Sequence, residues 1–290
     1  MNVTKQKYQP IVIIGAGRSG TNILRDTLAR VDGLGTWPCD EINYIWRHGS
    51  VRWPNDELSP EMATPGVRAY IRRAFDRLAR RDRLTGVIEK TCANSLRVGF
   101  VDAVLPEARF LHIVRDGRDV VASASERWRA PLDLPYLARK ARWVPPMDLP
   151  YYATRYLWNR LHRLASREKR LAFWGPRFRG LDEALRTSTL PEVCALQWKR
   201  CVDNAGRDFS RLDPSRVHLV RYEEFAKDPR EELMRLSVFL GIRISERELR
   251  HAASVVSPAS IGNWRGKLEP DVVETIEHVM GETLTAHGYE

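Results

Sequence analysis

The segment Pro10 to Asn22 reads P-I-V-I-I-G-A-G-R-S-G-T-N, and it narrows the possible folds more than any other stretch of the chain. An apolar run, Ile11 to Ile14, stops at a glycine-rich turn. An amphipathic helix pattern follows, with Ile23, Leu24, Thr27, Leu28 and Val31 on one face. Strand, glycine turn and helix in that order are how α/β proteins build an anion cradle. Backbone N–H groups converge in the turn, and the positive end of the helix dipole points at the ligand.

Two familiar patterns overlap on this turn, and neither is complete. Gly15 to Gly20 has the outer spacing of a nucleoside-triphosphate P-loop, but Thr21 stands where the lysine of that loop belongs. Gly15, Gly17 and Gly20 also satisfy the dinucleotide pattern G-x-G-x-x-G. That pattern needs a second strand ending in an acidic residue about 20 positions on. Asp32 to Asp40, D-G-L-G-T-W-P-C-D, reads as turn rather than buried strand, and Arg18 would crowd a pyrophosphate. On the loop alone, an NTP-binding or NAD-binding protein using Gly15 to Gly20 stays open.

The segment G-R-S-G-T-N, residues 17–22, resembles the 5′-phosphosulfate loop of the sulfotransferases that use 3′-phosphoadenosine 5′-phosphosulfate (PAPS). The resemblance makes Gly17, Arg18, Ser19, Gly20, Thr21 and Asn22 donor-binding residues, with Arg18 in the cationic slot. A second motif points the same way. Arg109 to Arg127 reads R-F-L-H-I-V-R-D-G-R-D-V-V-A-S-A-S-E-R. It resembles the 3′-phosphate site of that family, an arginine at a strand end (Arg115) and a serine eight residues later (Ser123). A phosphomonoester carries about two charges and three acceptor oxygens. A guanidinium fork takes two of those oxygens and a helix-borne hydroxyl another. Asp116 and Asp119 read as structural, capping the helix or orienting Arg115 and Arg118.

Two further segments carry the resemblance. Val217 to Phe225, V-H-L-V-R-Y-E-E-F, resembles the strand and Tyr-Glu-Glu of the family, which places Tyr222 near the nucleotide. Ser260 to Lys267, S-I-G-N-W-R-G-K, resembles its late loop, which implies that Arg265, Gly266 and Lys267 close on the 3′-phosphate. The likeness spans roughly 10–128 and 190–290 and is nearer to the tyrosylprotein and bacterial polysaccharide-type branch. Sulfuryl transfer resembles phosphoryl transfer, where positioning and charge stabilisation dominate. Arg18 and Lys90, which within Glu89-Lys90-Thr91 resembles the family's lysine at that strand end, are the candidate cations for the leaving group, and no metal is required if they neutralise it. The tyrosylprotein branch carries its glutamate base after the first helix, where this chain has Cys39-Asp40-Glu41-Ile42. Glu41 is the expected base and Asp40 the fallback, while a structural Glu41 would cap a helix or pair with Arg47. His112 lies inside an apolar strand and reads as a satisfied core residue. His48 and His162 have no evident partner.

The 290 residues are 43% apolar, enough for a single domain with an inserted subdomain. A net charge of +10 and a sequence pI near 9.7 suit an anionic ligand. No zinc spacing, aromatic single-strand motif or helix-turn-helix signature supports a nucleic-acid partner. Cys39, Cys92, Cys194 and Cys201 form no C-x-x-C pair, and Cys194 and Cys201 read as core residues sharing a helix face. No run reaches the length of a membrane span, and residues 1–9 lack a signal-peptide core, so a cytoplasmic enzyme is expected.

Ile11 to Ile14, Val87 to Ile88, Phe110 to Val114 and Val217 to Val220 read as parallel strands separated by helices. A helix over 67–83 turns Tyr70, Ile71, Ala74, Phe75 and Leu78 inward and Arg68, Arg72, Arg73, Arg77 and Arg80 outward. The stretch 128–190 is rich in Arg, Trp, Tyr and Pro, and reads as a helical insertion that lids the acceptor site or merely caps the sheet. The expectation is one α/β domain over 1–290, with a central parallel sheet flanked by helices, a P-loop-like phosphosulfate-binding loop and that insertion. Its reaction would carry a sulfuryl group from PAPS to an acceptor hydroxyl, leaving 3′-phosphoadenosine 5′-phosphate (PAP). A carbohydrate hydroxyl of a polysaccharide or glycolipid is favoured over a peptide tyrosine or a small metabolite.

Overall fold

The computed structural model describes residues 8–129 and 174–290, with positions 150, 153–154, 157–158 and 161 between them. In chain order the elements are β1 (Gln9–Ile14), α1 (Thr21–Leu28), β2 (Leu34–Thr36), α2 (Asn43–Trp46), α3 (Pro65–Asp82), β3 (Gly86–Lys90), α4 (Val98–Val104), β4 (Arg109–Val114) and α5 (Gly117–Arg129). Past residue 174 follow α6 (Leu181–Thr187), α7 (Leu190–Phe209), β5 (Val217–Arg221), α8 (Tyr222–Lys227), α9 (Pro229–Leu240), α10 (Glu246–Ala253) and α11 (Pro270–Ala286).

The five strands form one all-parallel sheet in the order β2-β3-β1-β4-β5. β1 is its middle strand, which is why its apolar run is continuous: both faces are covered. Alternate residues go to opposite sides. Val12 and Ile14 join a core with Trp46, Ile71, Phe75 and Phe100, whereas Ile11 and Ile13 join Leu24, Leu28, Phe225 and Leu236. A third apolar cluster, centred on Trp128, Trp198 and Met280, packs α5, α7 and α11 together.

The four predicted strands are present. Val217 to Val220 is less buried than its composition suggests, because β5 is an edge strand and Leu219 is exposed. The turn-like reading of Asp32 to Asp40 needs correction. Leu34–Thr36 pairs with Gly86, Val87 and Ile88 as the opposite edge, a strand too short to give a periodic signal. The helix expected over 67–83 is α3. Thr64 caps its start, accepting from the Val67 N–H, and Arg83 ends it at φ 54°. Ile71, Phe75 and Leu78 are buried as expected, Tyr70 and Ala74 partly so. Arg72 stays on the outward face, where it clasps the partly exposed Glu107 at 2.6 Å.

The carboxyl ends of β1, β3, β4 and β5 open onto the same edge of the sheet. They carry the glycine loop, Lys90, Arg115 and Tyr222 respectively. The chain moves to β3 on one side of β1 and later to β4 on the other, so this edge includes the switch point where open α/β sheets bind ligands. The stretch 128–190 is described only in part: Trp128 is a buried member of α5, and 174–189 includes α6. The proposed lid role rests mainly on residues outside those described, as does His162.

Candidate active site

The loop from Gly15 to Gly20 is fixed by sterics. A side chain at Gly15 would meet the Ile113 backbone oxygen at 2.7 Å, and one at Gly20 would meet the Tyr222 ring at 2.3 Å. Gly20 also has φ 88°, a region that L-residues avoid. Arg18 takes the left-handed conformation too, at φ 73°. The turn is closed by the Ser19 N–H donating to the Ala16 carbonyl at 3.2 Å. Ser19 is fully buried, and its hydroxyl has no protein partner. A hydroxyl held out of water without a partner is costly, and an anionic ligand in the cradle would satisfy it.

The two arginine motifs meet across this loop. Arg18 Nε donates to Ser123 Oγ at 2.9 Å, and Arg115 Nη1 donates to the Arg18 carbonyl at 3.2 Å. Arg115 lies over the Tyr222 ring, 4.4 Å from its centroid. Its Nη2 donates to the Ser260 carbonyl at 2.5 Å, and Tyr222 shares a 2.6 Å hydrogen bond with the Ser260 hydroxyl. Both terminal nitrogens of Arg115 are thus engaged by protein oxygens, and its buried Nε has no partner. Crowding by surrounding protein, then repulsion from Arg127 and Arg115, lowers the pKa of Arg18, although the residue itself is exposed. A bound anion would relieve that repulsion.

The late loop reaches the same region. Asp119 accepts from the N–H groups of Gly262 at 2.8 Å and Trp264 at 3.0 Å, and Lys267 pairs with Glu126 at 2.9 Å. Arg265 is exposed and lies over Trp264. Asp116 accepts from the N–H and guanidinium of Arg118, and Asp119 pairs with Arg115 at 3.3 Å, the orienting roles the sequence suggests.

On the other flank, Glu41 Oε1 accepts from Lys90 Nζ and from the Cys92 N–H, both at 3.2 Å. Ile42 N–H donates to Thr91 Oγ1 at 3.2 Å, which binds the segment carrying Glu41 to the one carrying Lys90. Lys90 is buried. That burial opposes its charge, yet Glu41, the largest of the charges around it, leaves its pKa above the ordinary lysine value. Thr21 Oγ1 lies 3.6 Å from Cys92 Sγ, so the glycine loop reaches the Glu41–Lys90 pair through Cys92. Burial pushes the Cys92 thiol up to about 12, which keeps it protonated.

The alternative partner for Glu41 is engaged elsewhere: Arg47 pairs with buried Asp56 at 2.9 Å. Asp40, the fallback base, is half-exposed and 3.5 Å from Arg25. His48 does have a neighbour, stacking on Tyr70 at 3.7 Å. His112 is buried with burial pushing its pKa down to about 3, and its Nε2 has no hydrogen bond, so it is a core residue but not a satisfied one. Cys194 and Cys201 are buried in α7 as expected, and none of the four cysteines forms a disulfide. No helix among the described residues is long and apolar enough to cross a membrane.

Several participants carried no local signal. Asp119 as anchor of the late loop, Ser260 as partner of Tyr222, and Trp174 beside Gly17 could not have been found, because their partners are distant in sequence.

A profile described as the sulfotransferase family matches residues 10–137 and 159–246, most of the chain. No curated protein sequence matches significantly. Similar solved structures include the sulfotransferase domain from the curacin biosynthetic pathway, with TM-score 0.54 and 15% identity over 95% of this chain and 98% of that one. The sulfotransferase domain from the Synechococcus PCC 7002 olefin synthase gives 0.54 and 17% over 96% and 97%. Mouse sulfotransferase SULT7A1 complexed with PAP gives 0.50 and 14% over 96% and 85%. At these identities the likeness is one of fold.

Proposed function

This chain belongs to the sulfotransferase family, and from that premise we propose that it moves the sulfuryl group of PAPS in line to an acceptor hydroxyl, a carbohydrate hydroxyl by preference. The observation that carries the reading is the Glu41–Lys90 pair, tied to the donor loop through Cys92 and Thr21. Bound PAPS supplies the reactive sulfuryl group and a phosphate leaving group. Gly17 to Asn22 hold its 5′ end, with Arg18 as the cation and the Ser19 hydroxyl as a donor. Arg115, Ser123 and Tyr222, with Arg265, Gly266 and Lys267 on the late loop, hold the nucleotide and its 3′-phosphate. The buried donors without partners, Ser19 Oγ, Arg115 Nε and Trp264 Nε1, suit a ligand with an anionic group at each end.

Glu41 takes the acceptor proton. As its carboxylate is neutralised, its hold on Lys90 weakens. The ammonium then follows the oxygen on which negative charge develops, joining Arg18, so no metal is needed for that charge. The carbohydrate preference is supported by the Arg-, Trp- and Tyr-rich stretch 128–190 and by the exposure of Trp53 and Trp158, since sugar rings stack on indoles. The four cysteines, none of them in a disulfide, support a cytoplasmic location.

Incubation with sulfur-35-labelled PAPS and a panel of oligosaccharides, a tyrosine peptide and small phenols tests this. Label should pass to an oligosaccharide. Glu41→Gln should cut that transfer by about a hundredfold or more while PAP still binds, the range expected for loss of a general base. Label passing only to the peptide or the phenols would overturn the carbohydrate preference. Unchanged turnover in Glu41→Gln would overturn the base.

A further inference from the structure

Two stretches far apart in the chain meet on one buried carboxylate. Asp119, in the first turn of α5, is 3% exposed. Its Oδ2 accepts from the Gly262 N–H at 2.8 Å and lies 3.3 Å from Arg115 Nη2, while its Oδ1 accepts from the Trp264 N–H at 3.0 Å. Its charge is therefore spent inside the protein, on two backbone donors and one guanidinium. Just upstream, Ser260 is held through its carbonyl by Arg115 and through its hydroxyl by Tyr222. Residues 260–264 are thus strapped onto the end of the sheet at two points.

The strap sets the place of a cation. Two guanidinium groups lie over the Trp264 ring, Arg118 at 4.6 Å and Arg265 at 4.5 Å. Arg118 is itself fixed by Asp116 at 2.9 Å and Glu277 at 2.8 Å, so the indole has a rigid backing. An arginine resting on an indole face is oriented without losing its charge. The Trp264 indole N–H is buried and without a protein partner.

We propose that Asp119 is a positioning residue for recognition of a 3′-phosphate. It fixes the 260–267 strap on α5 so that Arg265 and Arg115 serve one phosphomonoester. This rests on the reading of PAPS as donor. A carboxylate can accept from both N–H groups at once. The amide of Asp119→Asn has one accepting atom and must turn N–H against N–H at the other position. The strap is then released, while the 5′ loop keeps its own closure: Asp119 bonds Gly262, Trp264 and Arg115, and reaches that loop only at one remove, through the bond of Arg115 to the Arg18 carbonyl. The loss is therefore selective for the 3′ end, whereas a general folding defect would weaken every nucleotide alike.

Calorimetric titration of wild type and Asp119→Asn with PAP and with adenosine 5′-monophosphate (AMP) separates these cases. Wild type should bind PAP at least about tenfold tighter than AMP, the value of one charge-assisted contact. Asp119→Asn should lose most of that ratio through PAP alone, and hydrogen exchange at the Gly262 and Trp264 amides should quicken. Should Asp119→Asn not fold, Gly262→Ala distorts the strap from its other side, since Gly262 has φ 72°, and it should show the same selective loss. Equal binding of PAP and AMP by wild type would remove the 3′-phosphate reading itself. A preserved PAP-to-AMP ratio in the folded variants would overturn the role of Asp119.

Discussion

Glu89 and Lys90 are chain neighbours that point to opposite sides of β3, and burial opposes the charge of both with different outcomes. Lys90 has Glu41 beside it and keeps its charge. Glu89 is completely buried, and desolvation pushes its pKa up from 4.5 to about 7, with Asn94 Nδ2 donating to its Oε2 at 2.9 Å. A carboxyl with a raised native pKa binds protons better in the folded state. Its contribution is whole below the unfolded value near 4.5 and is lost as pH rises through 7. The loss by pH 8 is on the order of 3 kcal/mol. Glu89→Gln should therefore gain on wild type as pH rises, the two unfolding free energies diverging by about that amount between pH 5 and 8 in urea titrations. A constant difference across that range would show that Glu89 is ionised in the native protein. The sequence could not have announced this. It displays Lys90 at a strand end, but not the desolvation of the residue before it, which depends on three-dimensional packing. That Arg18, Ser19, Arg115 and Ser123 would gather at one place was legible, because each belongs to a short local pattern at a strand end or in the helix after it. The hold of Asp119 on the late loop, and the contacts of Asp56 with Arg177 and of Ser260 with Tyr222, were not, since those partners lie many residues away.

At the scale of elements, the glycine loop separates three residues that look equivalent in G-x-G-x-x-G. Gly15 and Gly20 are steric necessities, whereas a side chain at Gly17 would make only ordinary contact with Trp174 at 3.4 Å. Gly20→Ala should cost about 2 kcal/mol or more, because it combines a left-handed backbone with a ring pinned by Arg115 and Ser260. By displacing Tyr222 it should also weaken PAP. Gly17→Ala should stay within about 1 kcal/mol in thermal unfolding. Equal costs for the two would mean that the loop closes differently. Elements were readable where burial was complete on both faces, as in β1 and β4. The edge strand β2 was obscure, because it has only three residues, whereas β5 at the other edge was read from its apolar run although it is less buried.

Across the molecule, the site is assembled from distant parts of the chain held by single polar contacts. Tyr289 donates to Glu223 Oε2 at 2.8 Å, and Glu223 Oε1 accepts from the Asp116 N–H at 3.0 Å. A residue past α11 thereby braces the turn that carries Arg115. Tyr289→Phe should cost about 1–2 kcal/mol, a fall of roughly 2–6 °C in Tm. An unchanged Tm would mean that this brace carries no load. The net charge of +10 fits a molecule whose sheet edge gathers Arg18, Lys90, Arg115 and Arg265. The most direct measurement is calorimetric titration of the purified protein with PAP, against ATP and NAD, in metal-free buffer. PAP should bind at least about a hundredfold tighter than either. A preference for NAD, or for ATP once magnesium is restored, would contradict the assignment of the loop to a phosphosulfate donor.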